Sequence, residues 1–283
     1  MERIQSAIEK ARAAREQDAP RRSDERATGS AKSARATDPV NTQAAEAARE
    51  ELWSAIPEIR INKKRLMDAR IVACQAGTAA APFDVMRTKM LHQMRTNNWR
   101  RVAVTSPTIG CGKTTTCLNL AFSLARQRDI KAIVVELDMR RPSIAKVLNL
   151  DKQLLFASVI EGLAPPEDHM VRYQNNLLFA TNHSPAVNPA EILQGRRAAA
   201  IIDEIEDRYK PDIMIFDMPP MLVCDDTIAF LDQIDCALLV GAAEATAIEE
   251  MDKCEQDISS RTNTLGFILN KCRYLENTGS YGY

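Results

Sequence analysis

Beyond Arg100 the chain alternates short apolar runs with helical patterns. Residues 102–105, 132–136, 177–180, 213–217, 237–240 and 267–270 are apolar without a polar residue at every second position. Such runs read as strands buried on both faces of a parallel sheet. Between them, residues 118–126, 198–208 and 248–258 place apolar side chains at helical spacing. Strand and helix in turn predict an α/β fold: a doubly wound, mostly parallel sheet with helices on both faces and ligands at the carboxyl ends of the strands. Just ahead of the first strand, Phe83, Met86, Met90 and Met94 share one helix face and read as a core-facing stripe.

The N-terminal part follows a different pattern. Ile4, Ala7, Ile8, Ala11 and Ala14 predict a short amphipathic helix over residues 1–17, whose small apolar face suits a partner better than a membrane. Residues 18–50 are rich in Arg, Asp, Ser, Ala, Thr, Gly and Pro and predict a disordered linker. A catalytic domain is expected over 51–273, with order resuming near Trp53, followed by a flexible tail over 274–283.

With 283 residues, 45% hydrophobic and 27% charged, the chain has room for one sizeable domain plus these extensions. A net charge of −1 argues against a dedicated nucleic-acid binder, which needs a basic excess. The seven cysteines form no CxxC pair and mostly sit in apolar runs, so they read as small buried hydrophobes in a reducing cytoplasm. No run of about 18 apolar residues offers a membrane span.

The chemistry begins after the first strand, at Ser106-Pro107-Thr108-Ile109-Gly110-Cys111-Gly112-Lys113-Thr114-Thr115, with a helical pattern following. This is the strand, loop, helix context of a phosphate loop. Ser106, Gly110, Cys111, Gly112, Lys113, Thr114 and Thr115 are candidate ATP-binding residues. The glycines let backbone N–H groups turn onto phosphate oxygens, Lys113 reaches the β- and γ-phosphates, and Thr114 offers its hydroxyl to Mg²⁺. Two further strands end in acids, at Glu136-Leu137-Asp138 and at Asp217. Strand alternation predicts that Glu136 and Asp138 point the same way and are presented together. Three acids around one phosphate loop imply phosphoryl transfer assisted by a metal, with ATP and Mg²⁺ as cofactors.

These residues resemble the bacterial tyrosine kinases of capsule and exopolysaccharide systems, a P-loop NTPase group with deviant Walker motifs. Thr105-Ser106-Pro107 before GxGKTT looks like the Walker A lead-in, residues 136–142 like the A′ motif and Asp217-Met218-Pro219-Pro220 like the Walker B. Asn188-Pro189-Ala190-Glu191-Ile192-Leu193 resembles a further family segment. The resemblance implies that Glu136, the first A′ acid, is the base, although the family more often has Asp there and Asp138 is the alternative. It makes Lys113 catalytic, gives the metal to Thr114, Asp138 and Asp217, and sets Arg140 and Asn270 against the nucleotide. Tyr274, Tyr281 and Tyr283, three of the five tyrosines, would be autophosphorylated by neighbouring copies.

The same resemblance implies a separate membrane-bound activator that controls polysaccharide chain length, and hence peripheral association with the inner face of the plasma membrane. The family's ring-forming ExxRxxR motif is degraded here: with its last Arg on Arg87, Asp84 and Ala81 fill the other places, so a closed octamer is not expected. Two competing readings share the motifs. A partition- or Min-type positioning ATPase would carry a lysine where Thr108 stands, and a non-catalytic export component would bind nucleotide without transferring its phosphate.

Overall fold

A computed structural model describes residues 39–273, with side chains from residue 46 onward. Helices α1 (Pro39–Ala55), α2 (Lys63–Asp68) and α3 (Ala81–Asn97) precede strand β1 (Arg101–Thr105). Helix α4 (Lys113–Ala125), β2 (Ala132–Glu136), α5 (Ile144–Leu148) and α6 (Phe156–Ile160) follow, then the hairpin of β3 (Met170–Tyr173) and β4 (Leu177–Ala180). The remainder runs α7 (Pro189–Gln194), α8 (Arg196–Tyr209), β5 (Ile213–Asp217), α9 (Asp226–Phe230), β6 (Cys236–Ala242), α10 (Ile248–Ser259) and β7 (Asn263–Asn270).

The seven strands lie in the order β3-β4-β2-β5-β1-β6-β7, and all the pairings are parallel except that of β3 with β4. The six expected strands are present, and the continuous apolar runs have the expected cause. Within β1, Val102 and Val104 enter one core with Met90, Met94, Leu118 and Phe122, while Ala103 enters the other with Ile202, Ile205, Tyr209 and Ile258. Met90 and Met94 are buried, as the stripe on α3 predicts.

Two findings depart from the sequence reading. Strand β3 carries Arg172 and Tyr173 in a four-residue run too short to show a period, and it gains its place by pairing with β4. Helix α1 begins inside the stretch expected to be a disordered linker at 18–50. Its alanines and glutamates favour helix, and Trp53 anchors its end: the buried indole donates to Tyr209 O at 2.9 Å and lies under Lys131 Nζ, 4.5 Å from the ring centroid. The amphipathic helix expected over residues 1–17 and the three tail tyrosines lie outside the described residues.

Candidate active site

The parallel strands deliver their carboxyl ends to one edge, where β1 runs into the phosphate loop. Ser106 is fully buried and turns its hydroxyl onto Thr108 O at 2.8 Å. The backbone after β5 tracks the loop's entry: Met221 N donates to Ser106 O at 2.9 Å and Leu222 N to Pro107 O at 3.0 Å. Gly110 and Gly112 adopt φ of 84° and 96°, a region other residues enter at a cost. At Gly112 a Cβ would also lie 2.1 Å from Asn270 Nδ2.

Cys111 is buried in the loop, its thiol 3.3 Å from Thr108 O and 3.5 Å from Thr246 Oγ1. Burial works against ionisation of this thiol, but hydrogen bonds from Thr246 and Thr108 outweigh it and lower its pKa. All seven cysteines are free and five are buried.

Helix α4 opens with Lys113, Thr114 and Thr115 in its first turn. Lys113 Nζ donates to Asp138 Oδ2 at 2.6 Å, and Thr114 Oγ1 to Asp217 Oδ2 at 2.7 Å. Burial opposes the charge on Lys113, yet the facing Asp217 and Asp138 carboxylates hold its pKa above that of an ordinary lysine. Asp217 is wholly buried and its Oδ1 has no hydrogen-bond partner. Burial pushes its pKa up to about 7; Lys113 pulls against the rise and Glu136 adds to it.

A buried carboxylate oxygen without a partner, beside a threonine hydroxyl at a helix N-terminus, fits a divalent cation. Mg²⁺ takes few protein ligands and completes its shell with phosphate oxygens and water. Among the described residues no three His, Cys, Asp or Glu cluster as a self-sufficient metal site. The donor set therefore suits a metal that arrives with nucleotide.

Glu136 and Asp138 do not point together. Leu137 N and Asp138 N both donate to Asp217 O, at 2.9 and 3.0 Å. Strand β2 ends at Glu136, and with two successive amides on one carbonyl the chain beyond it no longer follows strand alternation. Asp138 swings to Lys113, while Glu136 stays buried beneath the site. Its Oε1 accepts from Ser143 N (2.6 Å) and Ile144 N (2.8 Å), and its Oε2 from Asn182 N (2.9 Å) and the Thr181 hydroxyl. Burial raises its pKa, and these donors pull it back only in part. A fully engaged carboxylate under the loops ties residues 143–144 to 181–182.

Arg140 borders the same cavity as Ile109 and Lys113, but its guanidinium is engaged by a carboxylate. Its Nε and Nη2 donate to Asp226 Oδ2 and Oδ1 at 2.9 and 2.8 Å, a bidentate pair with a fully buried acid in the first turn of α9. That pair raises the arginine's already high pKa. Asn270, at the end of β7, donates to Cys111 O at 2.9 Å and braces the loop from the other side. Arg87 is occupied within the chain, donating to Ser123 O at 2.9 Å and pairing with Asp84, which also binds Arg126.

A cavity of about 190 Å³ opens beside Lys113 and Asp138. A larger one, about 920 Å³, lies at the opposite end of the sheet among Arg100, Arg101, Asp212 and Asp235. There several charges pair with one another, as Arg101 does with Asp203 and Glu206 at 2.6 Å each, and the cavity lies away from the phosphate loop and its facing acids. The smaller cavity is the one that borders the phosphate loop and Asp138.

Residues 98–279 match the sequence family described as "ParA: NUBPL iron-transfer P-loop NTPase". Among curated proteins the chain is similar to tyrosine-protein kinase YwqD of Bacillus subtilis, with 25% identity over 80% of this chain and 95% of that protein. It is also similar to tyrosine-protein kinase ptk of Acinetobacter johnsonii, 26% identical over 77% of this chain but only 30% of that longer protein. Among solved structures, the kinase domain of the Escherichia coli tyrosine kinase ETK superposes with a TM-score of 0.65 at 23% identity, over 74% of this chain and 82% of that one. These relatives agree with the resemblance carried by the Walker motifs.

Proposed function

The chain belongs to the ParA-type family of P-loop NTPases and within it is a protein-tyrosine kinase of the bacterial kind; from that premise we propose that it transfers the γ-phosphoryl of ATP to the C-terminal tyrosines of neighbouring copies. One observation carries this reading: Lys113–Asp138 and Thr114–Asp217 stand side by side at the mouth of the phosphate loop.

ATP phosphates lie on the loop amides, where the N-terminal end of α4 favours an anion. Thr114 and Asp217 would hold Mg²⁺, with Asp138 nearby; the cation supplies charge neutralisation on the phosphates. As phosphate oxygens draw Lys113 towards them, Asp138 loses its cation and becomes a free carboxylate in reach of an incoming phenol. The phenolic oxygen then bonds to the γ-phosphorus, the bond to the β–γ bridging oxygen breaks, ADP leaves and the phenol proton passes to Asp138. Of the two A′ acids, Asp138 is the better base, because Glu136 is engaged by four donors. Glu136 supports the site from below.

Ser106, Gly110, Cys111, Gly112 and Thr115 shape the phosphate cradle, and Asn270 reaches an adenine only by releasing Cys111 O. Tyr274, Tyr281 and Tyr283 are the acceptors, so self-association brings one copy's tail to another's site. A separate membrane-bound copolymerase would supply both activation and peripheral attachment to the membrane. No helix among the described residues is long and apolar enough to cross one. Control of exopolysaccharide or capsule polymerisation follows as the cellular role.

The test is direct. Purified chain with Mg²⁺ and ATP, with and without a copolymerase cytoplasmic tail, is probed for phosphotyrosine. Labelling on the last ten residues supports the reading. Steady ATP hydrolysis with no phosphotyrosine under either condition sinks it and points to a positioning ATPase.

A further inference from the structure

We infer that Asp226 is a positioning residue for the transfer: it holds the Arg140 guanidinium in a bidentate pair and so keeps Asp138, the proposed base, clear of a second cation. The inference rests on the kinase reading and names what keeps that acid available. Asp226 acts through Arg140.

Arg140 follows Asp138 closely in the chain, and both line the cavity of about 190 Å³ beside Lys113. A guanidinium placed there has two carboxylates to choose from. Without nucleotide Asp138 is already served: its Oδ2 takes Lys113 Nζ at 2.6 Å and its Oδ1 takes Arg141 N at 3.2 Å. Once phosphate oxygens draw the lysine away, Oδ2 is bared. A charged, planar fork then matches that carboxylate better than an incoming neutral phenol does. An arginine settled on Asp138 would cover the lone pair that the phenol proton must reach.

Asp226 decides this competition in advance. Its two oxygens take Arg140 Nε and Nη2 at 2.9 and 2.8 Å, and its side chain is 0% exposed against 46% for the arginine's. If Arg140 left, a buried charge would stand uncompensated, a far larger cost than the loss of an exposed pair. The arginine itself, half in solvent, needs only a side-chain rotation to move. The anchorage of Asp226 is also keyed to the site. The next residue, Thr227, donates its hydroxyl to Pro219 O at 2.7 Å, beside the 2.8 Å bond from Thr105 at the end of β1. The first turn of α9 thus grips the turn that follows Asp217 and, through Asp226, the loop that follows Asp138. Arg140 is therefore placed relative to both acids before nucleotide binds.

The test sets rate against binding. Initial rates of tyrosine labelling are followed at varied ATP in the full chain, in Asp226→Asn, in Asp226→Glu and in the double variant Arg140→Gln with Asp226→Asn. Circular dichroism melts establish that each is folded at the assay temperature. Asp226→Asn releases the arginine and is expected to lower kcat about tenfold or more, within the ~10²–10⁴-fold that a general base supplies, without raising the KM for ATP. The double variant has no arginine to misplace and is expected to recover most of that loss, although it lacks the pair altogether. Asp226→Glu keeps a carboxylate for the guanidinium and is expected to fall between Asp226→Asn and the parent. A double variant as slow as Asp226→Asn, or a KM for ATP that climbs as the rate falls, overturns the inference and leaves the pair a brace of the fold. If Asp226→Asn does not fold, the comparison passes to Asp226→Glu with and without Arg140→Gln, which must again be faster without the arginine. A parent chain that labels no tyrosine at all defeats the kinase reading itself, and the inference with it.

Discussion

Thr114 donates its hydroxyl to one oxygen of Asp217 at 2.7 Å and leaves the other oxygen buried with no partner. The folded chain thus keeps a carboxylate whose ionised form is under-served until a cation comes. Its pKa, raised to about 7 from an unfolded value of 3.8, fixes the sign of the effect. The folded state holds a proton that the unfolded chain has already lost, so this contribution to stability is present at low pH and is lost as pH climbs towards and through 7. Asp217→Asn removes the penalty. Without nucleotide the variant is expected to melt a few degrees above the parent at pH 8, with the gap narrowing towards pH 5, while Mg²⁺-dependent labelling is lost. A gap that widens on acidification would contradict this.

Glu136 and Asp138 give opposite expectations. Glu136→Gln sets an amide against the N–H groups of Ser143, Ile144 and Asn182, and should cost about 1–3 kcal/mol of stability, about 2–4 °C per kcal/mol in a domain of this size. Its labelling rate should fall by no more than about tenfold, since the base remains. Asp138→Asn should melt close to the parent yet label about 10²–10⁴-fold more slowly. Thermal melts and initial labelling rates on both variants decide between the two acids.

Arg140 is half exposed, but its partner Asp226 is fully buried. Removing the arginine strands that acid, so Arg140→Ala should cost about 1–3 kcal/mol, more than the same change at the exposed neighbour Arg141. The double variant Arg140→Ala with Asp226→Asn should recover most of the loss. Calorimetry on the four proteins reads the coupling between the two sites.

Lys113→Ala removes the cation that balances Asp138 and the phosphates, and should reduce labelling by about 10²–10³-fold or more. Deleting residues 274–283 should remove most labelling in the otherwise unaltered chain. Adding the truncated chain to Lys113→Ala protein should restore it, because the acceptor and the active site then come from different copies. Phosphotyrosine blots of the mixture check this.

The parts of this fold that could be read from sequence are those in which local pattern and tertiary role coincide. Strands β1, β2 and β5 are apolar along their middles because each lies between two cores, and the phosphate loop shows itself through Gly110, Gly112 and Lys113. What escaped the sequence reading depends on partners far along the chain. The divergence of Glu136 from Asp138 goes with two amides meeting the carbonyl of Asp217, and the pairing of Arg140 with Asp226 spans 86 residues. No local period announces either one. Strand β3 is not legible for a related reason: four residues with an arginine among them become a strand only beside β4. One local sign of the hairpin does stand in the sequence, the Gln174-Asn175-Asn176 turn between two short apolar runs, where Gln174 takes φ of 55°.

The carbonyl of Asp217 that receives both Leu137 and Asp138 amides has a mechanical consequence. It couples the backbone of the acid proposed to hold the metal to that of the acid proposed to accept the proton, through two hydrogen bonds at one oxygen. A displacement of either strand end is passed to the other, so the two roles cannot be adjusted separately by small changes at one position. Evolution along this lineage would be expected to retune the pair from outside, through the packing around it, and to leave the joint itself alone.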